Sequence, residues 1–124
     1  MRRLPLALLL WIGLSLPSAV AKTHVETWTV WVSDEACGAL HVQPGGGDCV
    51  RKCKRGGASI GHPEWTPQRT VLVKESDKSV WFVENPEVLD GHEGERLVVK
   101  VAVHRTAKSV HVRNLASAGE GSKP

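Results

Sequence analysis

All three cysteines of this chain fall between residues 37 and 53, with a histidine among them, in the pattern C-x3-H-x7-C-x3-C. Thiolate and imidazole are good ligands for soft and borderline metals, and three thiols with one imidazole form a tetrahedral zinc type that also suits Cu(I). Cys49 and Cys53 are four residues apart, so a helix there would place both on one face with Cβ atoms about 5–6 Å apart. Cys37 and His41, also four apart, would complete the set across a turn. The metal-ligand candidates are therefore Cys37, His41, Cys49 and Cys53.

The competing chemistry is a disulfide, and the N-terminus bears on the choice. Arg2 and Arg3 precede an apolar run of 11 residues, Leu6 to Leu16, and Ala19-Val20-Ala21 follows. A positive start, a short apolar run and a small-x-small site read as a signal peptide over residues 1–21. The run falls short of the about 20 residues a bilayer demands, and no later segment approaches that length, so no membrane span is expected. The rest of the chain is then exported, to a periplasm or outside the cell, where thiols pair. A bond from Cys37 to Cys49 or Cys53 would close a loop of about 13 to 17 residues and stabilise by roughly 3 kcal/mol. On that ground the disulfide ranks ahead of the metal, leaving one thiol over. A nucleophilic Cys–His pair ranks last, because nothing in the chain supplies an orienting third residue or an oxyanion site. An enzyme is not expected.

Two further features could carry chemistry. Trp65 lies between prolines in the irregular stretch GHPEWTPQ, residues 61–68, and is the ligand-face candidate. Indole offers a flat apolar surface on which a base or sugar can stack. His104 and His111 would fall opposite each other on a hairpin turned at Ala107-Lys108, and a solvated sheet face explains such a pair better than a metal does.

What must position these residues is a small β domain. Residues 22–115 would form it, with residues 116–124, ASAGEGSKP, a disordered tail. Alternation of β-branched and aromatic residues from Val25 to Val32 predicts a first strand ended by Ser33-Asp34. Pro44-Gly45-Gly46-Gly47 is a loop, Asp48 suits a helix N-cap, and Cys49 to Arg55 reads as a short basic helix stopped by Gly56-Gly57. Turning RTVLVKESDKSVWFVEN at Ser76-Asp77 pairs Val73 with Val80, Leu72 with Trp81 and Val71 with Phe82. Arg96 to Arg105 is the longest strand, with Leu97, Val99, Val101 and Val103 inward, and Val110 to Leu115 is the last. Five short strands in so small a domain would leave edges exposed in an open sheet, so an all-β, five-stranded, OB-like barrel is expected, with the cysteine loop and short helix after its first strand.

The segments SDEACGALH, DCVRKCKRGGA, GERLVVKVAVH and SVHVRNL together resemble a family of small secreted bacterial proteins with an S-D-x-x-C-G-x-x-H segment followed by C-x-x-x-C. The resemblance covers residues 25 to 115 and implies export and an OB-like barrel; it brings no assigned activity and no catalytic residue. The chain departs from that pattern in lacking a glycine before Val32-Ser33-Asp34 and in having Ala102-Val103-His104 where a glycine is usual.

Without residues 1–21 the chain has 14 Lys and Arg against 13 Asp and Glu, a formal charge of +1. A nucleic-acid footprint needs a strong basic excess, so no nucleic acid is expected as partner. The sequence therefore points to an exported binding module whose Cys/His cluster takes a metal, Zn or Cu(I), or a small ligand. The alternative is a disulfide-stapled structural protein that contacts another protein of the cell envelope.

Overall fold

In the computed structural model, Gly13 and residues 24–118 are described. The expected signal peptide, Gly13 apart, and all but the first three residues of the expected tail lie outside them. Five strands, β1 (His24–Asp34), β2 (Thr70–Lys74), β3 (Val80–Val83), β4 (Arg96–His104) and β5 (Ser109–Ser117), close a barrel in the order β1-β2-β3-β5-β4. One helix, α1 (Gly47–Arg55), lies between β1 and β2. The expected all-β, OB-like barrel is the fold.

β1 makes closure possible. Its 11 residues pair with β4 from His24 to Trp31 and with β2 from Val30 to Asp34, so one long strand serves two neighbours at successive levels. On the far side β3 and β5 run parallel through Phe82–Ser109 and Val83–Val110, joining the two antiparallel hairpins. Lys100 faces Asn114 while Val101 faces Val112, so Arg113 is an extra residue in β5. A bulge of this kind increases local twist and lets a short sheet curl. Ala102 stands where a glycine was expected to bend the strand; the bulge is beside it.

The core follows the alternation. Trp28, Val30 and Val32 of β1 and Leu97, Val99, Val101 and Val103 of β4 point inward with Leu72, Trp81, Val110 and Val112. The tilted rings of Trp28 and Trp81 meet at 5.1 Å between centroids, filling the space a barrel of this size must pack. The hairpin register Val71–Phe82, Leu72–Trp81, Val73–Val80 is as expected.

Three expectations are corrected. α1 begins at Gly47 with Gly46 as its N-cap, and Asp48 bonds to Arg51 instead of capping. The cause is tertiary: a Cβ on Gly47 would lie 2.6 Å from the carbonyl oxygen of Glu93, so only glycine fits where the helix starts against that loop. The last hairpin turns over four residues, so His104 faces Ser109 and His111 faces Ala102. His104 instead meets a carboxylate, with Nε2 at 3.3 Å from Glu84. Finally, β5 extends through Ser117, two residues into the stretch expected to be disordered.

Candidate metal centre

The second half of β1 is buried on both faces, from Val30 to Asp34. Inside is the barrel core. Outside lie the cysteine segment and α1, whose one fully buried residue is Val50. The site is built on this doubly covered strand, where the backbone has least freedom.

Cys37 is held by the turn that leaves β1. Ser33 Oγ donates to the Gly38 carbonyl at 2.8 Å in a buried bond, and Asp34 Oδ1 accepts from the N–H groups of Ala36 and Cys37, both at 3.0 Å. Between them, Glu35 locks onto Arg69: its Oε2 accepts two guanidinium N–H groups, at 3.0 and 3.2 Å, its Oε1 accepts the Arg69 backbone N–H, and its own N–H donates to the Arg69 carbonyl. Gly38 takes a positive φ of 48°, which reverses the chain directly after the thiol.

Cys49 and Cys53 project from one face of α1, one turn apart. The last turn of the helix is anchored. Lys54 pairs with Glu93 at 2.9 Å and reaches Asp90 at 3.5 Å. At the C-terminus Gly56, with φ +70°, ends the helix, and the Cys53 carbonyl accepts N–H groups from Gly56 and Gln68 at 3.3 and 3.0 Å.

These supports bring the Sγ atoms of Cys37, Cys49 and Cys53 within 4.8 Å of one another. Tetrahedral zinc with Zn–S bonds near 2.3 Å needs sulfurs about 3.8 Å apart, so closing on an ion asks for movements of about 1 Å or less. This cluster could hold a metal. His41 lies in the 3-10 turn Gly38–His41 between Cys37 and α1, but its side chain falls outside the described residues. The disulfide from Cys37 to Cys49 or Cys53 is not formed.

Burial and charge favour the protonated form of two of these thiols, Cys37 and Cys53. Burial, then the negative field of Asp34, then the neighbouring sulfurs push Cys37 up to about 12. Cys53 is raised by burial and then Asp34 in the same way. A nucleophilic cysteine needs its thiolate favoured at neutral pH, and these two move in the opposite direction. A metal cation reverses the balance, since coordination deprotonates a thiol outright.

The sequence pointed to all three sulfurs but missed Asp34. It read as a turn residue, while the structure makes it a wholly buried carboxylate beside the cluster. No sequence signal distinguishes the two.

Trp65 stands next to the site. It is 53 % exposed and stacks on His62 with centroids 3.9 Å apart and planes 9° from parallel. With Ile60, Lys52, Arg55, Gln68 and Cys53 it lines an open pocket of about 730 Å³, so the ligand-face candidate and one candidate metal ligand share a cavity wall.

No protein-family model, curated protein or solved structure matches the chain. Among the described residues, no helix is long and apolar enough to cross a membrane.

Proposed function

We propose that this chain is an exported bacterial barrel that binds one soft or borderline metal ion, Zn²⁺ or Cu(I), through Cys37, Cys49 and Cys53. The observation that carries the reading is the convergence of three sulfurs from two separate elements within 4.8 Å, with no disulfide between them. Support for export comes from the N-terminal pattern and from the resemblance to a secreted family. His41, four residues after Cys37 in the sequence, is the fourth donor in this reading.

Metal titration of the reduced protein tests this. Zn²⁺ or Cu(I) should bind at one equivalent per chain. Cys37→Ser, Cys49→Ser and Cys53→Ser should each weaken binding by about tenfold or more, and Trp65→Ala should leave it unchanged. Reduced protein that retains neither ion overturns the proposal. Co²⁺ serves as a visible probe, because charge-transfer bands scale with the number of sulfur ligands.

A second reading, a module for a small ligand, is favoured by the pocket between Trp65 and Cys53. The exposed Lys52 and Arg55 on its wall suit an organic anion with a flat face. Quenching of Trp65 emission by such anions, absent in Trp65→Ala, distinguishes it from metal binding alone.

A further inference from the structure

We propose that Asp34 is the buried counter-charge of the cysteine site and makes that site selective for a divalent cation over a monovalent one such as Cu(I). The inference rests on the metal-binding reading above and names the class of ion the site takes.

Asp34 closes β1 and is fully buried. Its Oδ1 is accounted for by the N–H groups of Ala36 and Cys37, a local arrangement that would be sufficient reason for an aspartate here. Its Oδ2 is not accounted for: it is buried and accepts no hydrogen bond. Among the described residues no Lys, Arg or His forms an ion pair with it.

Glu93 provides the contrast. It too is buried with one oxygen lacking a partner, but its other oxygen receives Lys54 Nζ at 2.9 Å, so the fold answers its charge. Asp34 has no such cation. A carboxylate taken out of water is strongly unfavourable unless a positive charge comes with it. The backbone ties Asp34 to this site, since its Oδ1 accepts the N–H of Cys37 at 3.0 Å, and its negative field raises both Cys37 and Cys53. A cation held by the three sulfurs would sit beside the one buried carboxylate that needs it.

Charge then discriminates between ions. Three thiolates and Asp34 carry four negative charges. A divalent ion leaves two uncompensated and a monovalent ion leaves three, in a site partly withdrawn from water where each residual charge counts heavily. Softness alone would favour Cu(I) on three sulfurs; Asp34 pulls the balance back toward Zn²⁺.

The test is Asp34→Asn, which keeps an oxygen to accept from Ala36 and Cys37 and replaces the charged Oδ2 with a neutral NH2. Reduced wild type and variant are titrated with Zn²⁺ and Cd²⁺, and with Cu(I) and Ag⁺. Cd²⁺ and Ag⁺ are both soft, so their comparison separates charge from ligand preference. Divalent affinity should fall by about tenfold or more while monovalent affinity falls less or rises. Equal losses for both charges would make Asp34 merely structural, and no change would make it irrelevant; either overturns the inference and leaves the metal site standing. Wild type that binds none of the four ions removes both. Should the variant fail to fold, wild type with isotope-labelled aspartate carboxyls decides by NMR. The Asp34 signal must shift more with Cd²⁺ than with Ag⁺, while that of Asp77, in the β2–β3 turn, stays in place. Equal shifts, or none, overturn the inference.

Discussion

The hydroxyl of Ser33 donates to the carbonyl of Gly38 at 2.8 Å, inside the protein, and so ties the last buried turn of β1 to the residue after Cys37. Ser33→Ala leaves that carbonyl without its donor in a dry environment. We expect a loss of about 1–2 kcal/mol in urea unfolding. Metal affinity should fall with it, because Cys37 loses a restraint. Full affinity in a destabilised variant would show that Cys37 is positioned by other contacts.

Cys37 predicts a pH dependence. Its folded pKa of about 12 lies above the ordinary 9.0, so the fold favours the protonated thiol. The stability this contributes is complete below pH 9 and is lost as pH rises from 9 toward 12. Metal-free protein should therefore weaken to heat across that window, and Cys37→Ser should flatten the slope. At pH 8 alkylation of Cys37 should run roughly a hundredfold or more slower than that of an unstructured thiol. Rapid alkylation at pH 8 would contradict the proposed burial and field.

Lys54 and Glu93 form a largely buried charge pair, with side chains 19 % and 8 % exposed. Burial alone would raise Glu93, but Lys54 and nearby backbone N–H groups together hold it below the usual carboxylate range. Lys54→Met strands the carboxylate and should cost about 3 kcal/mol. The double variant Lys54→Met, Glu93→Gln should recover most of that loss in thermal unfolding. The native pair's contribution is present above the ordinary carboxylate pKa and is lost as pH falls through the lower folded value.

The Trp65 loop packs directly on Gly56 and Gly57. A Cβ on Gly57 would sit 2.4 Å from the His62 carbonyl oxygen and 2.9 Å from Trp65 Cβ. Gly57 also donates to the Trp65 carbonyl at 2.8 Å. Gly57→Ala should push the loop off α1, at about 1–3 kcal/mol, and expose residues 58–67 to limited proteolysis. Unchanged cleavage would mean that the loop is not held at this contact.

The sequence by itself determined the barrel and which residues could supply the clustered sulfurs. Period-two alternation states which side of each strand is wet, so the inward row of β4 and the β2–β3 register were readable from local pattern alone. The C-x3-C spacing needed only a helix to align Cys49 with Cys53. Tertiary structure decided whatever rested on contacts far apart in the chain. The start of α1 was set by Gly47 against Glu93, the register of the last hairpin by a turn longer than its residues announced, and the approach of Cys37 to the helix by the wall of β1. Asp34 belongs to that second class. A carboxylate's chemistry depends on what is withdrawn from around it, and only the closed barrel removes its water.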